Sequence, residues 1–252
     1  MSQSAFHIVT SVNDATNPAL DLQSKSLIII GLGIDAEQFR TLLAHPDPTN
    51  LRVVRSVNSH GFNMAQYGTN ALVTAFRNAL HSDPASGDEF FFRDDVGDIV
   101  SIPVTGQQYD SRNLRSAYAL AAAIVDVLLP PLGTDGFYFD DIFESYPDFL
   151  VNALGLTAQE ALEFRASWRL WSRVLISEVR RLAPSAFLVA NVAKRIADEV
   201  FQYLDGITVE ASHGPTERQF ASATFNGCSP TRNVAWSQAD GVFANAIGGY
   251  LT

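Results

Sequence analysis

The sequence contains very little cysteine and few basic residues. Cys228 is the single cysteine among 252 residues, which excludes an internal disulfide and any metal site built from several cysteines. Lysine and arginine together number 17, against 27 aspartate and glutamate residues, so that the formal net charge is −10. An acidic chain without a Lys/Arg cluster argues against binding to nucleic acid or to an anionic membrane. We therefore expect neither among the partners of this protein.

Long apolar segments are also missing. The longest apolar run, 117–129, is interrupted by Asp126 and is shorter than the ~20 residues that a transmembrane helix needs. The N-terminal residues lack the basic segment and the apolar core of a secretory signal. We therefore expect a soluble protein with no signal peptide and no transmembrane segment, and its location stays unknown.

Several catalytic signatures are absent as well. The sequence has neither the Gly-x-Ser-x-Gly turn of serine hydrolases nor a phosphate-binding loop. Gly31 and Gly33 follow an apolar run as in a dinucleotide-binding turn, but Ala36 replaces the third glycine. These absences argue against a serine hydrolase of that type and against a Rossmann domain.

Short β-branched runs alternate with helical patterns along the whole chain. The hydrophobic share of 47% is sufficient for a sizeable core, and no low-complexity linker divides the sequence. The predicted strands are 6–12, 26–31, 51–58, 136–140, 187–191, 206–210 and 233–237. The predicted helices are 65–80, 113–129, 158–182 and 217–225. Strands separated by helices are typical of βαβ units and a parallel sheet.

This order and the length predict an α/β fold, a single (β/α)8-type TIM barrel domain over residues 1–252. The long stretch between Asn58 and Gly136 predicts a β-hairpin insertion before strand 4, formed by 89–93 and 99–104. Few residues follow Gln238, which predicts a barrel that is incomplete or irregular at the C-terminal strand.

A local repeat is the most informative pattern. Residues 135–140 and 205–210 share the form Asp-Gly-apolar-polar-apolar-acid, so that each predicted strand ends in a carboxylate, Asp140 or Glu210. Because side chains alternate along a strand, Tyr138 and Asp140 lie on one face, which we expect to be the inner one. Asn191 ends strand 187–191 in the same way. The carboxyl ends of barrel strands carry the active site.

Glycoside hydrolysis typically requires two carboxyl groups, and here both are expected at one rim of the barrel. One must be protonated to help the leaving oxygen depart, and the other must be ionised to attack or to activate water. Tyr138, Trp236 and His60 are candidates for stacking on a sugar or hydrogen bonding to it.

Structural roles compete with these functional ones. A strand-end acid often caps the following helix or pairs with a cation, and Asp141 suits a helix N-cap if the strand persists. His60 also fits a polar loop residue. Asp135 and Asp205 precede their strands, where a stabilising role is expected.

The order of motifs resembles a known family. The matching residues are 90–94, Gly97, 109–113, 135–141, 190–191 and 205–210. They resemble the barrel glycoside hydrolases related to the endo-α-1,4-polygalactosaminidases, over roughly residues 90 to 215. The resemblance implies that Asp140 and Glu210 are the catalytic pair and that Asn191 holds substrate hydroxyls. It also implies that Asp110 lies near the cleft or anchors the preceding loop.

We therefore predict a glycoside hydrolase that cleaves O-glycosidic bonds in a polysaccharide or oligosaccharide, without cofactor or metal. The substrate-binding candidates are Asn191, Tyr138, His60, Asp110, Asp141 and Trp236. One alternative is a non-catalytic carbohydrate-binding or structural barrel subunit of a larger assembly. Another is a metal-assisted hydrolase that uses Asp140, Asp141 and Glu144, which chelators would inactivate.

Overall fold

The computed structural model describes a large part of the chain in several segments. They are residues 6–59, 61–62, 70–81, 90–94, 96–102, 106–140, 142, 151, 154–191, 200 and 202–208. The chain divides into two compact units. The first contains Met1–Val57, Pro131–Ile142 and Ala186–Thr252, and the second contains Asn58–Pro130 and Phe143–Ser185. The assignment of 1–252 to one domain stays a prediction.

The described part of the first unit is built on a six-stranded sheet. Its strands are β1 (Phe6–Val9), β2 (Leu27–Ile30), β3 (Arg52–Asn58), β7 (Gly136–Asp140), β8 (Phe187–Asn191) and β9 (Gly206–Thr208). They lie in the order β1-β2-β3-β7-β8-β9. Parallel pairing joins β1 to β2, β2 to β3, β7 to β8 and β8 to β9. The prediction of an α/β fold with a mostly parallel sheet is therefore confirmed, whereas a closed barrel stays a prediction.

Both faces of this sheet are apolar, as is usual for parallel sheets. On one face, β-strand side chains such as Ile28, Ile30 and Val53 join a buried cluster with Phe39 and Leu43 of the helix α1 (Ala36–Leu43). The opposite face carries a second buried cluster, which consists of Leu27, Ile29, Val54, Tyr138 and Val189. Alternation along each strand separates the two sets.

Helix α1 was not among the predicted helices. It has eight residues, too few for a clear helical period, and it begins where the Asp35 carboxylate accepts a hydrogen bond from the Gln38 N–H at 2.9 Å. It ends at Ala44, whose φ of 46° is left-handed. Three short 3-10 turns, Val12–Thr16, Pro18–Leu20 and Leu22–Ser24, connect β1 to β2.

Strand β1 is shorter than the predicted strand 6–12. Ser11 caps the turn that begins at Val12, and the Asp14 carboxylate accepts hydrogen bonds from the N–H groups of Thr10 and Ser11, each at 3.0 Å. The N–H groups of Thr10 and Ser11 therefore bind a side chain instead of a neighbouring strand, and β1 ends at Val9. Strands β7 and β8 have the predicted bounds, and the predicted strand 233–237 and helix 217–225 lie outside the described residues.

Three helices and a small antiparallel sheet make up the regular structure among the described residues of the second unit. The helices are α2 (Ala71–His81), α3 (Leu114–Ala123), which continues as a π-helical turn over Ile124–Leu128, and α4 (Ala158–Leu182). The strands β4 (Gly61–Phe62), β5 (Ser101–Ile102) and β6 (Gly106–Gln108) lie in the order β4-β6-β5. None of the helices that the structure describes is long and apolar enough to cross a membrane.

Helix α4 has the predicted bounds because its end signals are strong. Thr157 and Glu160 form a reciprocal capping box at its N-terminus, and Arg180 and Arg181 lie in its last turn. Trp168 and Trp171 are fully buried and stack with ring centroids 5.4 Å apart, so they belong to the core of this unit.

The segment predicted as a hairpin is described only in part. Isolated antiparallel bridges join Phe91 to Tyr109 and Arg93 to Ile99. Glu89, Asp95 and residues 103–105 lie outside the described residues, so the hairpin insertion stays a prediction.

Candidate functional site

The candidate site lies at the carboxyl ends of β7 and β8. The two strands pair in parallel, with Tyr138 opposite Val189 and Phe139 opposite Ala190. Asp140 and Asn191 follow these pairs and end their strands side by side. The Asn191 side-chain amide Nδ2 donates a hydrogen bond to Asp140 Oδ1 at 2.9 Å. The structure therefore brings together two of the residues that the sequence singled out.

Asn191 also contacts the chain beyond Asp140 through its main chain. The Ile142 N–H donates to the Asn191 carbonyl oxygen at 3.0 Å. Asn191 is 5% exposed and Ile142 is 1% exposed, whereas Asp140 is half-buried. One residue of β8 thus holds the end of β7 by two hydrogen bonds.

Tyr138 lies beneath this pair, in the second apolar cluster of the sheet. It is 3% exposed and packs with Leu27, Ile29, Val54 and Val189. Tyr138 and Asp140 are two residues apart on one strand, so they face the same side of the sheet. The carboxylate therefore stands at the end of the face that carries this apolar cluster.

The residues that precede the strands hold them in register. The Asp135 N–H donates to the Val53 carbonyl at 2.8 Å, and the Val53 N–H donates back to Asp135 Oδ2 at 2.6 Å. Asp205 makes the same pair of bonds with Leu188, each at 2.8 Å. Arg40 also forms a salt bridge with Asp135. These two aspartates therefore act as clamps between neighbouring strands.

A glycine follows each of these two aspartates, Gly136 after Asp135 and Gly206 after Asp205. An ideal Cβ built at Gly136 would overlap the Phe187 carbonyl oxygen and lie 2.7 Å from its carbonyl carbon. At Gly206 the nearest atom would be Val189 Cγ2, at 3.2 Å. Gly136 is therefore required by the close approach of β8.

Asp110 lies in the second unit and is bound by an arginine. Arg112 Nε donates to Asp110 Oδ1 at 2.9 Å, and Arg112 Nη2 donates to Asp110 Oδ2 at 2.8 Å. The guanidinium also lies over the rings of Phe92 and Phe164, at 5.3 and 4.6 Å from their centroids. The hydrogen bonds to Asp110 raise the pKa of Arg112 above its ordinary value. This geometry gives Asp110 a defined anchoring contact within its loop.

Arg55 is a buried cation that the sequence patterns did not single out. It is fully buried in β3, and its Nη1 donates to the carbonyl oxygens of Leu32 and Ile34 at 2.6 and 2.9 Å. Burial lowers the pKa of Arg55 to about 10. The two carbonyls belong to the loop after β2, so Arg55 fixes the chain at the carboxyl end of that strand. An arginine inside the apolar run 51–57 was the available signal.

Four other candidate residues lie outside the described residues: His60, Asp141, Glu210 and Trp236. Glu144, which the metal-assisted alternative requires, lies outside them too. Within the described ranges, no three His, Cys, Asp or Glu side chains gather as a metal site would require.

The hydrogen bond between Asn191 and Asp140 determines which chemistry this end of the sheet can perform. An amide N–H donor favours the ionised form of the carboxylate to which it donates, and such a bond is stronger than one between neutral groups. A carboxylate held in this way is suited to act as a nucleophile or as a base toward water.

Known proteins resemble this chain in fold and not in sequence. No protein-family model matches it, and no curated protein matches it. The solved structure of the glycoside hydrolase domain of PelA from Pseudomonas aeruginosa is similar, with a TM-score of 0.50 and 13% sequence identity, over 84% of this chain and 68% of that chain. A variant of that domain has a TM-score of 0.53 and 11% identity, over 88% and 77% of the two chains. An α-galactosidase variant from Geobacillus stearothermophilus has a TM-score of 0.46 and 10% identity, over 81% and 30%.

The similarity to the PelA domain is one of fold, because the sequence identity is only 13%. The chain therefore has a fold similar to that of this domain.

Proposed function

We propose that this protein is a glycoside hydrolase that cleaves O-glycosidic bonds in a polysaccharide with two carboxylates, Asp140 and Glu210. The observation that carries the proposal is the Asp140 carboxylate at the carboxyl end of a parallel strand, hydrogen-bonded to Asn191 at 2.9 Å. Active sites of barrel enzymes lie at this edge. The fold similarity to a glycoside hydrolase domain supports the same reaction class.

In the proposed mechanism, Asp140 acts in its ionised form. Its carboxylate either attacks the anomeric carbon or removes a proton from the water that does so. Glu210 gives a proton to the glycosidic oxygen as the bond to the anomeric carbon breaks. A separation of ~5–5.5 Å between the two carboxyl groups would make the enzyme retaining, and ~6.5–9.5 Å would make it inverting. The two roles can be exchanged between Asp140 and Glu210.

The proposed substrate is a polymer that contains cationic amino sugars. The chain has a formal net charge of −10, which attracts a cationic polymer and repels an anionic one. Tyr138, His60, Asp110, Asp141 and Trp236 stay the candidates for substrate binding in this proposal. Cleavage of a deacetylated polymer should therefore slow as salt is added, because exposed charges are screened.

The test is release of reducing ends from a panel of polysaccharides that includes galactosaminogalactan and bacterial exopolysaccharides. Asp140→Asn and Glu210→Gln should each lower the rate by at least about 100-fold, the usual contribution of such groups. Asp126→Asn and Glu163→Gln are matched controls, since both side chains are exposed on helical segments of the second unit.

Release at the parental rate by both carboxylate variants would refute the proposal. If no polymer is cleaved but a polysaccharide binds, the non-catalytic binding or structural subunit is the better description. A variant-sensitive activity that chelators abolish would instead favour the metal-assisted alternative.

A further inference from the structure

Asn191 makes two contacts with the segment that carries Asp140. Its side-chain amide donates to Asp140 Oδ1 at 2.9 Å, and its carbonyl accepts the Ile142 N–H at 3.0 Å. The two bonds lie on either side of position 141. They hold the end of β7, and the chain that leaves it, against a single residue of β8.

The burial of Asn191 determines which partners its side-chain amide can reach. Asn191 is 5% exposed, and it lies at the end of the paired strands beside the half-buried Asp140. A group that binds substrate hydroxyls must present donors or acceptors to the ligand. Here the Nδ2 donor is directed at a carboxylate of the same protein.

We propose that Asn191 is the positioning residue of the Asp140 carboxylate and that its amide does not bind a substrate hydroxyl. This inference rests on the proposed glycosidase function and differs from the role that the family resemblance implies for Asn191. The amide orients the carboxylate by holding Oδ1, and it stabilises the ionised form that attack or water activation requires. Catalytic groups need such support because small displacements cause large losses of rate.

Kinetics on the cleaved polysaccharide separate the two roles. Asn191→Asp keeps the size of the side chain and removes the amide donor, and Asn191→Leu removes all polarity. For a positioning residue, kcat should fall by about 10- to 100-fold while KM stays within about twofold. For a residue that binds substrate in the ground state, KM should rise with little change in kcat. Asn13→Asp, the same substitution at an exposed turn, is the matched control.

A spectroscopic measurement tests the inference even if no substrate is found. The ¹³Cγ resonance of Asp140 is assigned from its loss in Asp140→Asn and is then compared between the parent, Asn191→Leu and Asn13→Asp. The resonance should shift in Asn191→Leu and stay in place in Asn13→Asp. Circular dichroism confirms that each variant is folded, and Asn191→Asp replaces Asn191→Leu if the latter does not fold.

An unmoved Asp140 resonance, or a rise in KM larger than the fall in kcat, would overturn the positioning role. Failure of the glycosidase proposal has a different signature. In that case no polymer is cleaved by the parent, while the resonance still shifts when Asn191 is replaced.

Discussion

Replacing Gly136 with alanine should separate the two strands that carry the candidate site. A Cβ at this position would overlap the Phe187 carbonyl oxygen, which belongs to the backbone of β8 and has no rotamer to change. Overpacking of this kind costs about 3 kcal/mol. The hydrogen bond from the Phe187 N–H to the Asp135 carbonyl, 2.9 Å long, would weaken as the strands part, at a cost of about 1 kcal/mol. The lower entropy of an unfolded chain with alanine returns about 0.7 kcal/mol. We therefore expect the free energy of unfolding to fall by about 3 kcal/mol.

Gly206 offers a matched control, since it follows an aspartate clamp in the same way. The nearest atom to a Cβ there would be Val189 Cγ2, at 3.2 Å, and a side-chain methyl group can yield by a few tenths of an ångström. We expect Gly206→Ala to change the free energy of unfolding by less than about 1 kcal/mol, because the modest crowding is offset by the same entropy gain.

Urea unfolding followed by circular dichroism measures both effects. With an m-value of about 3 kcal/mol per molar urea, the midpoint of Gly136→Ala should fall by about 1 M relative to the parent. Two results would refute the reasoning. One is a Gly136→Ala midpoint close to that of the parent, and the other is an equal loss in Gly206→Ala.

Two further predictions concern the second unit. Hydrogen bonds from the Thr157 hydroxyl and N–H lower the pKa of Glu160 below its ordinary value of 4.5. The capping box should therefore stabilise α4 fully above pH 4.5. This stabilisation should be lost as the pH falls through the lowered pKa of Glu160. The difference in melting temperature between the parent and Glu160→Gln should accordingly shrink below pH 4.5, and a difference that is constant with pH would contradict the assignment. Arg112→Lys should lower the free energy of unfolding by about 1–2 kcal/mol, since lysine replaces neither the paired bonds to Asp110 nor the ring stacking. Urea midpoints check this expectation, and a neutral substitution would show that the arginine contacts add no stability.

The strand-end residues were predictable because a strand has a simple period. Alternation alone placed Tyr138 and Asp140 on one face, and Tyr138 does lie in a cluster with side chains of β2, β3 and β8. The bounds of β7 and β8 were clear for the same reason, since each is a short apolar run that ends in one polar residue. These patterns were therefore sufficient to predict which side chains of β7 and β8 lie at the carboxyl edge of the sheet.

Contacts that depend on register or on loops could not be predicted. The family resemblance implied that Asn191 holds substrate hydroxyls, and nothing in the spacing of the sequence indicated that its amide donates to Asp140. Arg55 reaches carbonyls more than 20 residues away in sequence, in the loop after β2. Helix α1 has eight residues and a single capping bond at its start, which is too little pattern for a helix prediction.

The geometry of the Asp140 and Asn191 pair follows from how β7 is anchored at both ends. At its start, Asp135 exchanges two hydrogen bonds with Val53 of β3, and at its end Asn191 of β8 binds Asp140 and Ile142. Between these anchors the ladder of main-chain bonds to β8 sets the register residue by residue. A shift by one residue would turn Asp140 toward the opposite face of the sheet and place Phe139 beside Asn191, since the side-chain period is two. The clamp before the strand therefore helps to determine which residue stands at the site, although it lies about 17 Å away at ~3.3 Å per residue.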